Sequence, residues 1–187
     1  MQKQRTQRLV YAAILAAQAI VIGYFEAFLP SPAAFAPGAK LGLANLMTVV
    51  ALFSLPPMYS FVIVFLRVFA TALMFGTFST FLYSIMGGLF SLVAMLAIKQ
   101  LGPKRVSLIG ISTVGGFMHN LGQLTVAAMI AQSPAIYNYL PILTLAGVTA
   151  GFFIGVIGNY LIVHLSSTQL FRNDAHFHQQ YQQWIKP

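Results

Sequence analysis

Of the 187 residues, 58% are hydrophobic and only 6% are charged, against about a quarter charged in an ordinary soluble domain. This composition excludes a soluble fold, which needs charges to coat its surface, and a disordered chain, which is poor in apolar residues. Ten lysines and arginines face two acidic residues, for a net charge of +8. In a membrane protein such an excess means positive inner loops first and an anionic partner only second.

The first apolar run, residues 9–29, follows Lys3, Arg5 and Arg8. It exceeds the roughly 7–15 residues of a signal core, and Pro37 directly after Ala34-Phe35-Ala36 is expected to block cleavage there. The run therefore reads as an uncleaved first helix. Pro30, Pro32 and Pro37 then prevent the helix from continuing. A second, short run covers 41–55 and stops at Pro56-Pro57; the third covers 57–75, with proline tolerated in its first turn. The fourth runs over 77–98 and leads into a basic loop with Lys99, Lys104 and Arg105. A fifth spans 106–131, ends before Ser133-Pro134, and is followed by a sixth over 140–165.

At about 20 residues per span, the expectation is an all-α integral membrane protein with six transmembrane helices and both termini on one side. That side holds Lys3, Arg5, Arg8, Lys99, Lys104, Arg105, Arg172 and Lys186, while the other holds only Lys40. By the positive-inside rule both termini are cytoplasmic. Residues 1–168 form the six-helix transmembrane domain and residues 169–187 a polar cytoplasmic tail. Phe177, Tyr181, Trp184 and Ile185 recur there at near-helical spacing, which suits either a helix at the membrane interface or a disordered tail. His176 and His178 would face different sides of a helix, so no metal site is expected.

Ionisable groups within spans are the informative ones, since an arginine at mid-bilayer costs about 2.5–3.5 kcal/mol on insertion scales. Arg67 lies near the middle of the third span, where it binds an anionic group, pairs with Glu26, or braces the bundle. Glu26 near the outer end of span one reads as an interfacial carboxylate, a ligand group or an ion-pair partner. Lys40 and Asn45 stand in Gly38-Ala39-Lys40-Leu41-Gly42-Leu43-Ala44-Asn45, where glycines permit close backbone approach and a helix start offers N–H groups. In span five, His119, Asn120 and Gln123 are adjacent polar groups at mid-depth, either a binding surface or satisfied bundle residues. Small residues repeat at Ala12/Ala16 and Ala13/Ala17, and at Gly147, Gly151 and Gly155, allowing close helix packing within the chain or, for the alanines, docking of another subunit.

The chain has no Gly-x-x-x-x-Gly-Lys-Ser/Thr loop, so ATP hydrolysis by this chain is not expected. Without an acidic cluster for magnesium and a diphosphate, enzymatic activity is not expected either. The lack of cysteine excludes disulfides and thiolate chemistry.

Six short spans, the Ala-x-x-x-Ala stripe of span one and the Pro/Gly-rich outer loop resemble the substrate-binding (S) components of energy-coupling factor (ECF) transporters. The Lys40-Leu41-Gly42-Leu43-Ala44-Asn45 string is similar to a narrower group, the Gx transporter family, also labelled heptaprenyl diphosphate synthase component I. The resemblance covers about residues 9–165. It implies a prokaryotic cell-membrane subunit that captures a vitamin-like or isoprenoid- or quinone-precursor molecule from outside. Its partners would be a coupling transmembrane subunit and two ATPase subunits, with ATP used by the latter, no cofactor on this chain and no nucleic acid. It further implies that Ala12, Ala13, Ala16 and Ala17 meet the coupling subunit and that residues 30–40 gate the site. Glu26, Lys40 and Asn45 would lie in an outer pocket floored by His119 and Gln123. A non-catalytic membrane subunit of a prenyl diphosphate synthase and a stand-alone ion-coupled carrier are the alternatives.

Overall fold

The computed structural model describes residues 2–29, 40–168, 171 and 174–185, apart from the side chains of Lys3 and Phe75. Among them it forms seven α-helices and no strand: α1 (Gln2–Glu26), α2 (Asn45–Ser54), α3 (Pro57–Phe75), α4 (Phe78–Lys99), α5 (Leu108–Ala131), α6 (Leu140–Ser166) and α7 (Ala175–Trp184). A 3₁₀ helix, Pro134–Tyr139, leads into α6. Helix starts follow local chemistry. Pro57 opens α3, where its missing N–H is no loss. Thr77 and Thr80 cap α4 reciprocally, each hydroxyl accepting from the other's backbone N–H at 3.2 and 2.7 Å. Ser107 accepts from Gly110 N–H at 3.1 Å to start α5.

Among the described residues, four stretches are long and apolar enough to cross a membrane: Gln4–Glu26, Pro57–Met74, Phe78–Lys99 and Pro134–Ser166. The chain is thus a multi-pass membrane protein. The two other expected spans differ in instructive ways. α2 has only 10 residues, about 15 Å of helix and half of a hydrocarbon core. It starts late because Gly42, at φ 87°, turns the backbone immediately before it. Nine of its ten residues are buried, so it plugs the bundle rather than facing lipid. α5 has 24 residues, length enough to cross, but Ser112, Thr113, His119, Asn120 and Gln123 interrupt its apolar character. It is covered on two sides by α4 and α6.

The α5–α6 contact is backbone on backbone. A methyl group on Gly116 would fall 2.1 Å from the Gly147 carbonyl oxygen, and one on Gly151 would fall 2.6 Å from that of Ser112. Ser112 Oγ donates to the Gly151 carbonyl at 2.8 Å across this seam. The glycine stripe at 147, 151 and 155 therefore serves internal packing, as small residues do where helices gain nothing from hydrophobic association.

At the other end of α1 the tail packs onto the bundle. Arg8 Nε and Nη2 donate to the two oxygens of Asp174 at 2.8 and 2.7 Å. Asp174 also caps α7 by accepting from His176 N–H and Phe177 N–H at 3.0 and 3.3 Å. Phe177, with no exposed surface, stacks on Phe171 at 4.3 Å, and Phe171 meets Tyr11 edge-on at 4.8 Å. Trp184 meets Phe53 edge-on at 5.4 Å, and Lys99 Nζ donates to the Leu52 carbonyl at 2.7 Å beneath them. The tail helix thus belongs to the same hydrophobic core as α1 and α2, and the first turns of α1 lie at the same end as α7. Arg172 and Lys186 lie outside the described residues.

Burial alone would raise the Asp174 carboxyl, but the hydrogen bonds from Arg8, Phe177 N–H and His176 N–H hold it below its ordinary value. A depressed carboxyl stabilises the docked tail fully above its unfolded pKa of about 4, and the contribution is lost as pH falls through the lower folded value. Asp174→Ala removes a cap and a half-buried ion pair, and is expected to weaken docking by about 1–2 kcal/mol at neutral pH. Limited proteolysis should then cleave the tail several-fold faster while leaving residues 40–166 protected.

Candidate functional site

At the end of α1 opposite the tail, five elements converge: α1, the strap leading into α2, α3, α4 and α5. Glu26, the last residue of α1, is 4% exposed, and its Oε1 accepts from the backbone N–H groups of Gly42 and, at 3.0 Å, Leu43. It is thus a clamp on the turn before α2, neither an interfacial carboxylate nor an ion-pair partner of Arg67. Gly42 is required there twice over, for its left-handed backbone and because a Cβ would lie 2.7 Å from His119 Cδ2. From α5, Gln123 holds the same strap on its other side. Its Oε1 accepts from Lys40 N–H at 2.7 Å and its Nε2 donates to the Lys40 carbonyl at 2.8 Å, as a neighbouring strand would. The Lys40 backbone is therefore fixed while its side chain is left to face the cluster. Burial lowers the Lys40 pKa, nearby Arg67 lowers it further, and Glu26 opposes both.

Arg67 of α3 is 6% exposed. Its Nη2 donates to Asn45 Oδ1 at 3.3 Å, a long bond, and its Nε has no partner among the described residues. Asn45 Nδ2 and both ring nitrogens of His119 are likewise buried without hydrogen bonds. Each unpartnered buried group of this kind costs about 1–3 kcal/mol, and four such atoms are concentrated here. Among the described residues the ion pair is Arg8 with Asp174; Arg67 has no carboxylate partner.

Gly23, Glu26, Lys40, Gly42, Arg67, Thr71, Ser84, His119 and Gln123 are among the residues lining the space between these groups. Its free volume is about 20 Å³, room for about one water. Gly87 and Gly88 of α4 make the packing possible, since a Cβ on Gly87 would lie 2.8 Å from His119 Nδ1 and one on Gly88 3.2 Å from Arg67 Nη2. Sequence reasoning missed both glycines, although a Gly-Gly pair inside an apolar span was a visible signal for close approach.

Of the expected site residues, Glu26, Lys40, Asn45, Arg67, His119 and Gln123 come together, Glu26 and Gln123 as clamps on the backbone. Asn120 does not join them. Its Nδ2 donates to the Leu143 carbonyl of α6 at 2.8 Å, because the next residue along a helix is turned by about 100°. The expected partner stripe also divides. Ala12 and Ala16, at 6% and 4% exposure, are packed inside the chain, so they cannot present a docking face. Ala13 and Ala17 on the neighbouring rows are exposed. Residues 30–39 of the expected gate lie outside the described residues.

No curated protein and no solved structure matches the chain. The family described as heptaprenyl diphosphate synthase component I matches residues 15–161, a stretch that takes in the whole cluster and both of its clamps. With most of its length matched, the chain belongs to the heptaprenyl diphosphate synthase component I family.

Proposed function

We propose that this protein is the substrate-binding membrane subunit of an ECF-type transporter, capturing a small anionic molecule from outside for uptake driven by partner ATPases. One observation carries the reading: Arg67 is buried within the bundle without a carboxylate partner, among unpartnered donors from α2 and α5. A buried cation in a membrane segment is retained at a cost and is a functional group by default. The chain contributes binding, not catalysis. The Arg8–α7 end faces the cytoplasm, in keeping with the positive excess there, and the cluster opens toward the outer side. α2 and α5 enter the bilayer with the four long apolar helices, making six segments. The molecule captured is vitamin-like or a precursor in isoprenoid or quinone synthesis.

Coupling to the transmembrane partner runs through the exposed alanines of α1. Ala17→Leu is expected to leave folding and ligand binding intact while abolishing copurification of the coupling subunit and ATP-driven uptake. Ala16→Leu, by contrast, overpacks the core and costs about 1–3 kcal/mol of stability. Unchanged uptake in Ala17→Leu would remove this face from the interface. The family description favours a second reading, a non-catalytic membrane subunit of a prenyl diphosphate synthase. Copurification from native membranes distinguishes the two: a coupling subunit with ATPases supports the transporter, and a soluble synthase supports the second reading. A stand-alone ion-coupled carrier would bring down neither.

A further inference from the structure

We infer that the group recognised by this cluster is the carboxylate of a monoanionic small acid, and not a phosphate or diphosphate; the inference rests on reading the cluster as the substrate site. Charge is the first argument. Arg67 and Lys40 are opposed by Glu26, whose carboxylate is held in place by the Gly42 and Leu43 N–H groups, so one positive charge remains to be matched. A carboxylate brings one negative charge, whereas a phosphate monoester brings about 1.5 to 2 at neutral pH and a diphosphate more. The start of α2 adds little, because the Asn45 and Leu46 N–H groups already donate to the Gly42 and Leu43 carbonyls at 2.9 and 3.0 Å.

Metal assistance, the usual remedy for excess phosphate charge, has no ligands here. The chain holds two acidic residues in all. One, Asp174, is bound to Arg8 at the far end of α1, about 27 Å away along the helix, and the other is the Glu26 clamp. Among the described residues no three His, Cys, Asp or Glu side chains gather in one place, and magnesium is ordinarily held against a diphosphate by carboxylates.

Space agrees with the charge. Among the described residues Arg67 Nε and Asn45 Nδ2 are unpartnered, and a planar guanidinium edge matches two oxygens of a carboxylate or of a phosphate, so space decides between them. The free space of about 20 Å³ is walled by backbone at Gly42, where even a methyl group would collide with His119. Two carboxylate oxygens require far less displacement there than the seven oxygens of a diphosphate.

Compact anions test this without knowledge of the natural ligand. Purified protein with ¹⁵N-labelled arginine is titrated with acetate, inorganic phosphate and pyrophosphate, following the Arg67 Nε signal, which is identified by its loss in Arg67→Lys. Acetate is expected to move the signal saturably, with phosphate and pyrophosphate at least tenfold weaker. Lys40→Gln, whose backbone stays clamped by Gln123, brings the cluster to neutrality and is expected to weaken acetate at least tenfold. Phosphate or pyrophosphate binding as tightly as acetate, or acetate binding unchanged by Lys40→Gln, would overturn the carboxylate assignment while leaving an anion site. No movement with any of the three anions would overturn the anion-capture reading itself.

Discussion

Gly116→Val is expected to abolish the folded protein, with a loss above about 4 kcal/mol, the range reserved for severe core disruption. The first atom added would stand 2.1 Å from the Gly147 carbonyl oxygen, and 2.9 Å from Gly151 Cα. Neither neighbour is a side chain that can swing away, so α6 would have to leave α5. In lipid the separated helices gain no compensating hydrophobic contact, and the Ser112–Gly151 bond is lost with the seam. Gly110→Ala in the same helix is the control. Its Cβ would meet nothing nearer than Ser107 Oγ at 3.6 Å, and removing a helical glycine gains about 0.5–1 kcal/mol. Size-exclusion profiles and thermal unfolding of the two variants in one detergent check the contrast: aggregation for the first, wild-type behaviour or a small rise in Tm for the second.

Arg67→Met is expected to separate stability from function. A buried guanidinium with one long hydrogen bond and no carboxylate partner contributes little to folding, and replacing such a group by an apolar one of similar length is often neutral or stabilising. Ligand affinity should behave oppositely. A hydrogen bond to a charged group is worth about 1.5–3 kcal/mol, so binding should fall between about tenfold and 150-fold. The decisive pattern is an unchanged or higher Tm together with lost binding. A lower Tm with unchanged affinity would make Arg67 a brace of the bundle.

Much of this organisation is visible in the residues themselves, because local rules decide it. Pro57 and Ser133-Pro134 mark helix ends by chemistry that acts within one turn, and Arg67 stands out because hydrocarbon penalises charge. The Gly147, Gly151 and Gly155 stripe has one economical use. Other features depend on distant partners. The docking of α7 joins Arg8 to Asp174 across 166 positions, and without that pairing Phe177 looks like one aromatic in a polar tail. The shortness of α2 follows from a left-handed Gly42 fixed by Glu26 and by the His119 ring, neither adjacent in sequence. The division of the alanine stripe is a matter of helix rotation. Ala12 and Ala13 are neighbours in the chain but sit about 100° apart on α1, and only the packing of α2 and α3 against α1 decides which row is buried. The same rotation parts His119, which faces the cluster, from Asn120, which ties α5 to α6.

The most direct test of substrate capture is a thermal-shift screen of the purified wild-type protein against vitamins, quinone precursors and isoprenoid intermediates, repeated with Arg67→Met. A saturable rise in Tm from one anionic compound, absent in Arg67→Met, is the expected result. No shift from any compound, with a soluble prenyl synthase copurifying in place of ATPases, would contradict the transporter reading and assign the chain to the synthase.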